Sequence, residues 1–219
     1  MTSNKSKLTA FSLAAFVVVL LDQLSKYIIR TNPDLHNYEI IEGWLSFHYT
    51  LNPGMALGID WADTWVISLI AIAATIVIIA FIFNTMNSAR TGYMVCMGLI
   101  IGGALGNIID RLFMARIEGY GTFLDGHVID FIHFTLTLNG FRVFPYIFNV
   151  ADTAISVSII VLILFYKRLM PEYTKDQQTF DDTRKEEGRD EHAHDQKEEG
   201  PGTEKPRTNS SQDQRQEES

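Results

Sequence analysis

Cysteine is almost absent: Cys96 is the only one in 219 residues, and it sits inside an apolar run. A disulfide framework and a Cys-based zinc site are therefore excluded. Charge is scarce over residues 1–170, where ten Lys/Arg stand against eleven Asp/Glu and no basic patch forms. That argues against nucleic acid as a partner. Apolar residues are the missing class in 171–219, where Tyr173, Phe180 and Ala193 are the only ones. Eight Lys/Arg and fifteen Asp/Glu there hold nearly all of the chain's net charge of −8. Such a stretch buries too little surface to offset the entropy of ordering, and it is expected to be a disordered acidic tail. The mean hydropathy of +0.06 thus averages two unlike parts.

What remains is strongly apolar: 100 of the first 170 residues belong to the hydrophobic class, above the usual ~45–50%. A bilayer core of ~30 Å takes about 20 apolar residues per helix. Four segments have that length, over residues 8–29, 65–83, 93–112 and 147–170. The expected fold is an all-α membrane protein with four transmembrane helices. The first run follows Lys5 and Lys7 as a signal peptide would, but no small-x-small site follows it. Its helical pattern continues through Asp22–Lys26, so it is read as an uncleaved span. Lys5, Lys7, Arg90, Lys167, Arg168 and Lys175 collect on one side, and Arg30, Arg116 and Arg142 on the other. This bias places both termini in the cytoplasm and loops 30–64 and 113–146 outside. Glu39–Ile41 and Leu45–Thr50 carry aromatic and β-branched residues ahead of the Asn52-Pro53-Gly54 turn, so a small sheet is expected on the outer face. Trp44, Trp61 and Trp65 suit the headgroup level.

The polar residues within the spans are not scattered. Asp22 and Lys26 fall at the outer end of the first, Asn107, Asp110 and Arg111 at the outer end of the third, and Asn149 and Asp152 at the outer start of the fourth. Charge within a span costs ~2.5–3.5 kcal/mol per residue on insertion scales, so a shared depth implies partners or a purpose. Asp22 and Lys26, four apart, form either a structural pair or a substrate contact. Asp110 and Arg111 read as a pair closing a helix end, or as site residues. Gly98, Gly102 and Gly106 form overlapping GxxxG patterns, read as close helix packing. Asn52 is an ordinary turn residue on its own.

Two aspartates resist the bland reading. Asp152 begins an otherwise apolar span, with no basic residue within four positions. Asp130 lies in His127–His133, an apolar strand-like run. Two such carboxylates at one membrane boundary suggest a dyad in which one keeps a proton and the other takes one from water. The alternatives are a small ion- or proton-coupled transporter using the same cluster, and a metalloprotease built on His127, Asp130 and His133. The transporter lacks a visible repeat and has no carboxylate near the inner leaflet. The metalloprotease lacks HExxH.

Together the motifs resemble lipoprotein signal peptidase, the signal peptidase II family of bacterial membrane aspartyl proteases. The resemblance covers nearly all of residues 10–165. It rests on Asp22-Gln-Leu-Ser-Lys26, Asn52-Pro-Gly-Met-Ala56, Gly102-Gly-Ala-Leu-Gly-Asn-Ile-Ile-Asp-Arg111, Val128-Ile-Asp-Phe131 and Phe148-Asn-Val-Ala-Asp152, five motifs in order. It implies removal of the signal peptide from a prolipoprotein, just before a cysteine carrying diacylglycerol, in the bacterial inner membrane. It implies Asp130 and Asp152 as the catalytic pair. Asp22, Lys26, Asn52, Asn107, Asp110, Arg111 and Asn149 match the residues that line the site and orient substrate. It further implies four helices with a small extracytoplasmic β-cradle, a site near the outer face, and no metal or other cofactor. The expected partners are the lipidated prolipoprotein and membrane lipid, with the chain acting as a monomer. Three features depart from the family pattern. The 112–127 stretch is longer, reads as a mobile loop and makes Asp125 a rival to Asp130. Met55 replaces a smaller residue, and the acidic tail is extra.

Overall fold

The computed structural model describes residues 3–54, 62–169 and 182–185. The chain divides into two units, Met1–Thr174 and Lys175–Ser219. In the second, only the helical turn at 182–185 is described, so the expected tail lies almost wholly outside the described residues, as do Met55 and Trp61. In the first unit, four helices are long and apolar enough to cross a membrane: α1 (Asn4–Thr31), α2 (Thr64–Thr85), α3 (Thr91–Ile117) and α4 (Val150–Leu169). Large apolar side chains such as Leu13, Phe16, Val77 and Ile163 point outward from them. In water that arrangement would be prohibitive; against lipid tails it costs nothing.

The third helix is the axis of the bundle and packs against all three others. Small residues make this possible, because association in lipid depends on close approach of backbones. A Cβ built on Gly98 would collide with the Phe11 carbonyl of α1, and one on Gly102 would lie 2.6 Å from the Ala15 carbonyl oxygen. On the opposite face, a Cβ on Gly103 would meet the Ala151 oxygen of α4 at 2.6 Å. These obstacles are backbone atoms, which cannot rotate away. Gly102→Val is therefore expected to cost at least about 2 kcal/mol through overpacking. Thermal unfolding in detergent checks this, and an unchanged Tm would refute it. At the end of α2, the buried Lys7 of α1 donates to the Met86 and Asn87 carbonyls at 3.0 and 3.1 Å. It thereby satisfies acceptors that a helix terminus leaves open.

At the other end of the bundle lies an antiparallel sheet in the order β1-β2-β3-β6, formed by β1 (Asn37–Ile41), β2 (Leu45–Asn52), β3 (Val128–Phe134) and β6 (Ile147–Phe148). Ile129 and Phe131 of β3 pack with Ile29 of α1 and Met114 of α3, which seats the sheet on the helices. The β2–β3 register shifts between Phe47 and Thr50, so that Thr50 lies opposite Asp130 and Asn52 opposite Val128. A bulge of this kind re-aims the strand beyond it. Trp44 and Trp65 are exposed.

Two details differ from the sequence reading. The fourth span does not begin at residue 147, because Ile147–Phe148 pairs with His133 and Ile132 as β6, and α4 starts at Val150. Apolar composition cannot separate a buried strand from a helix start. The second is a hairpin not anticipated from the sequence, β4 (Thr137–Leu138) with β5 (Phe141–Arg142). Its turn residues Asn139 and Gly140 have φ of +51° and +83°. Asn-Gly is the sequence signal for such a turn.

Candidate active site

The site begins with the start of α4, whose first N–H groups have no partner within the helix. Asn149 accepts from the Asp152 N–H at 2.9 Å, and Asp152 accepts from the Asn149 N–H at 3.3 Å. This reciprocal cap holds the Asp152 carboxylate at the helix mouth. The next open donor, the Ala151 N–H, is taken by Asp22 Oδ1 of α1 at 3.0 Å. Asp22 reaches it across Gly106, where a Cβ would lie 2.5 Å from Asp22 Oδ2.

Lys26 is the hub beneath. Its ammonium lies 2.8 Å from Asp22 Oδ2 and 2.8 Å from Asp110 Oδ2. It also donates to Asn107 Oδ1 at 3.0 Å. These three contacts use all three of its donors. Asp22 and Asp110 are 0% exposed and Lys26 2%, so the ions compensate one another out of contact with solvent. Asp110 Oδ2 in turn accepts from the Ile129 N–H at 3.1 Å. The hub therefore holds two backbone positions, Ala151 before Asp152 and Ile129 before Asp130. Asp110 does not pair with Arg111, contrary to one reading of the sequence. Successive helical residues point about 100° apart, which turns Asp110 toward Lys26 and Arg111 away from it.

Asp130 is 3% exposed, on the face of β3 that meets the start of α4. Its Oδ2 accepts from Asn52 Nδ2 at 3.0 Å and its Oδ1 from Asn149 Nδ2 at 2.7 Å. Asn52 is itself held by the Gly54 N–H at its Oδ1, at 2.9 Å. Asn107 Nδ2 donates to Asp152 Oδ1 at 2.9 Å, and Asn107 Oδ1 accepts from Asn149 Nδ2 at 3.0 Å. The two carboxylates are thus joined through Asn149 and Asn107. Burial, then the negative charge of Asp152, push the Asp130 carboxyl up to about 7, against the opposing pull of Asn52, Lys26 and Asn149. Buried Nη1 of Arg111 has no hydrogen-bond partner among the described residues, and a Cβ on Gly54 would lie 3.4 Å from it.

All nine residues singled out from the sequence therefore come to one end of the bundle. Asp125 does not join them, since its carboxylate accepts from the N–H and Oγ1 of Thr122 within its own loop. The stretch expected as a loop over 112–127 is helix as far as Ile117, because α3 continues past the apolar span, and the remainder is held by Ser68 Oγ donating to the Leu124 carbonyl at 2.8 Å and by the Arg30–Glu118 ion pair at 2.9 Å. The Gly126 N–H also donates to the Arg111 carbonyl at 3.0 Å. Asp130 and His133 sit three apart on a strand and point to opposite faces, which no shared metal site allows. One participant was missed. Gln23 Nε2 donates to Asp22, the Gly106 carbonyl and Asp110 at 3.2, 3.1 and 3.0 Å. A polar amide beside Asp22 inside a span was the available signal.

The family model for signal peptidase (SPase) II matches residues 14–168. A lipoprotein signal peptidase of Chlorobium phaeobacteroides is 34% identical over 176 residues, spanning 77% of this chain and 96% of that protein. One from Porphyromonas gingivalis is 30% identical over 201 residues, spanning 77% and 88%. Among solved structures, a bacterial membrane enzyme determined by the in meso method at 2.3 Å resolution superposes with a TM-score of 0.55 at 30% identity, over 71% of this chain and 87% of that one.

Proposed function

The chain belongs to the signal peptidase II family, aspartic-type proteases of bacterial membranes that process lipoprotein signal peptides, and from this we propose that it cleaves diacylglyceryl-modified prolipoproteins just before the lipidated cysteine, using Asp130 and Asp152. The observation that carries this reading is the pair of carboxylates from separate elements, bridged by Asn149 and Asn107, with Asp130 raised to about 7. Asp130 keeps the proton and Asp152, at the half-open mouth of α4, acts as base. Asp152 takes a proton from water as the oxygen attacks the scissile carbonyl carbon. Asp130 donates to the carbonyl oxygen, and a proton then passes to the amine as the C–N bond breaks. Arg111, whose buried Nη1 has no partner among the described residues, holds a substrate carbonyl, and Asn52 and Asn149 hold Asp130 in register. Lys26, Asp22 and Asp110 position the backbone around the pair. The chain works as a monomer without metal or cofactor, with both termini in the cytoplasm and the site near the outer face. Family membership sets aside the transporter reading.

The decisive experiment offers the purified chain a prolipoprotein in lipidated and unmodified form, with and without chelator. Cleavage of the lipidated form alone, insensitive to chelation, is expected; cleavage of the unmodified form, or loss with chelator, would refute the proposal. The pH profile is a second check. An acid with a pKa near 7 loses its proton as pH rises through that value, leaving two charged carboxylates and no donor. Activity should therefore decline on the alkaline side of about pH 7. The Asn52 hydrogen bond favours the ionised form of Asp130, so Asn52→Ala should move that decline to higher pH. A profile flat through neutrality and beyond would count against Asp130 as the proton donor.

A further inference from the structure

Lys26 has committed its three donors to Asp22, Asp110 and Asn107. Arg111, one residue past Asp110, has not: its buried Nη1 has no hydrogen-bond partner among the described residues. A buried guanidinium nitrogen without an acceptor costs free energy, so its position calls for an acceptor that arrives with a ligand. The carboxylates whose charge reaches Arg111 are Asp130, Asp110 and Asp152. The chain beside Nη1 leaves room for a ligand atom. Gly54 stands next to it, and a Cβ at that position would lie 3.4 Å from Nη1. Asn52, in the same turn, donates to Asp130 Oδ2 at 3.0 Å. One turn thus borders both the open donor of Arg111 and the carboxyl of Asp130.

We propose that this site binds the carboxylate that hydrolysis creates, holding the cleaved signal peptide by its new C-terminus between Arg111 Nη1 and the Asp130 carboxyl, so that the protein is inhibited by its own product. The proposal rests on the assignment of Asp130 and Asp152 as the reacting pair. Hydrolysis adds the oxygen of water to the acyl carbon as the C–N bond breaks. Both protons of that water end on the nitrogen, so at neutral pH the peptide is left as a carboxylate and the lipoprotein as an ammonium. The neutral carbonyl that Arg111 holds in the substrate becomes an anion in the product. A guanidinium holds a carboxylate more tightly than a carbonyl, because both partners are then charged. Asp130 supplies the second contact by donating its proton to an oxygen of that carboxylate. It carries the proton because burial, then the charge of Asp152, push its carboxyl up to about 7. Lys26 of α1, Asn52 of β2 and Asn149 before α4 pull the other way, and Arg111 of α3 lies within reach of its charge. As pH rises through about 7, Asp130 loses the proton and gains a charge, so the donor becomes a repellent.

The test uses the full chain in detergent micelles and a fluorescently labelled signal peptide ending at the residue before the lipidated cysteine. The peptide is made with a C-terminal carboxylate or a C-terminal carboxamide. Below pH 7 the acid should bind about tenfold more tightly than the amide, and should inhibit cleavage of lipidated prolipoprotein in the same ratio. That advantage should shrink toward unity as pH rises above about 7. Arg111→Gln should erase it in the binding assay. Arg111→Lys, which keeps the charge but not the planar fork of donors, should restore part of it. Tm in detergent is recorded for both variants, and the pH series on the unaltered protein stands whether or not they fold. Equal binding of acid and amide below pH 7, an advantage unchanged with pH, or one retained in folded Arg111→Gln would overturn the product-binding assignment. Failure of the unaltered protein to cleave lipidated prolipoprotein would overturn the protease reading, and this one with it.

Discussion

Asp130→Asn and Asp152→Asn are each expected to reduce cleavage of lipidated prolipoprotein by between about 10² and 10⁴-fold, the usual range for loss of a positioned proton-transfer group. Both should leave the protein inserted and folded. At residue 152, asparagine still has one oxygen that can accept from the Asn149 N–H and keep the cap of α4, at the cost of the acceptor for Asn107 Nδ2. At residue 130, one of the two donors from Asn52 and Asn149 loses its acceptor, a modest cost beside the catalytic one. Because the two groups would share one proton cycle, the double variant should be little worse than either alone. The measurement is a time course of substrate processing, with Tm in detergent recorded for each variant. Near-normal processing by either single variant would remove that residue from the pair.

Lys26→Met should be the most destabilising single substitution in the hub, by about 3–5 kcal/mol, because it leaves buried charge uncompensated. Asp22 and Asp110 would lose the cation they share at 2.8 Å. Both backbone anchors would loosen, at Ala151 and at Ile129, and activity should fall with them. The control is the triple variant Asp22→Asn, Lys26→Met, Asp110→Asn, in which no buried charge remains at the hub. It should recover much of the lost stability, since a neutral replacement of a buried ion cluster is often tolerated. Thermal unfolding in detergent separates the outcomes. If Lys26→Met unfolds at the same temperature as the unaltered chain, the hub carries no load.

These two expectations also show how far the sequence could be read. The four spans were legible because apolar length is a local property of the chain. Both long hairpin strands were legible from their aromatic and β-branched residues. The start of α4 was not, because Ile147 and Phe148 are equally at home in a strand or a helix, and only their pairing with β3 decides between them. The β4–β5 hairpin escaped because its strands are two residues each, too short for periodicity to register.

The candidate site divides in the same way. The sequence by itself determined which polar residues enter the spans and that they share one depth, since composition and spacing along each helix suffice for that. Tertiary structure alone decided which of them meet. Asp110 chose Lys26 over its neighbour Arg111, Asn149 became the bridge between two aspartates, and Gln23 joined the cluster. Helical period constrains the face on which a side chain lies, but the identity of its partner depends on how closely α1, α3 and α4 approach. The glycines of α3 set that distance.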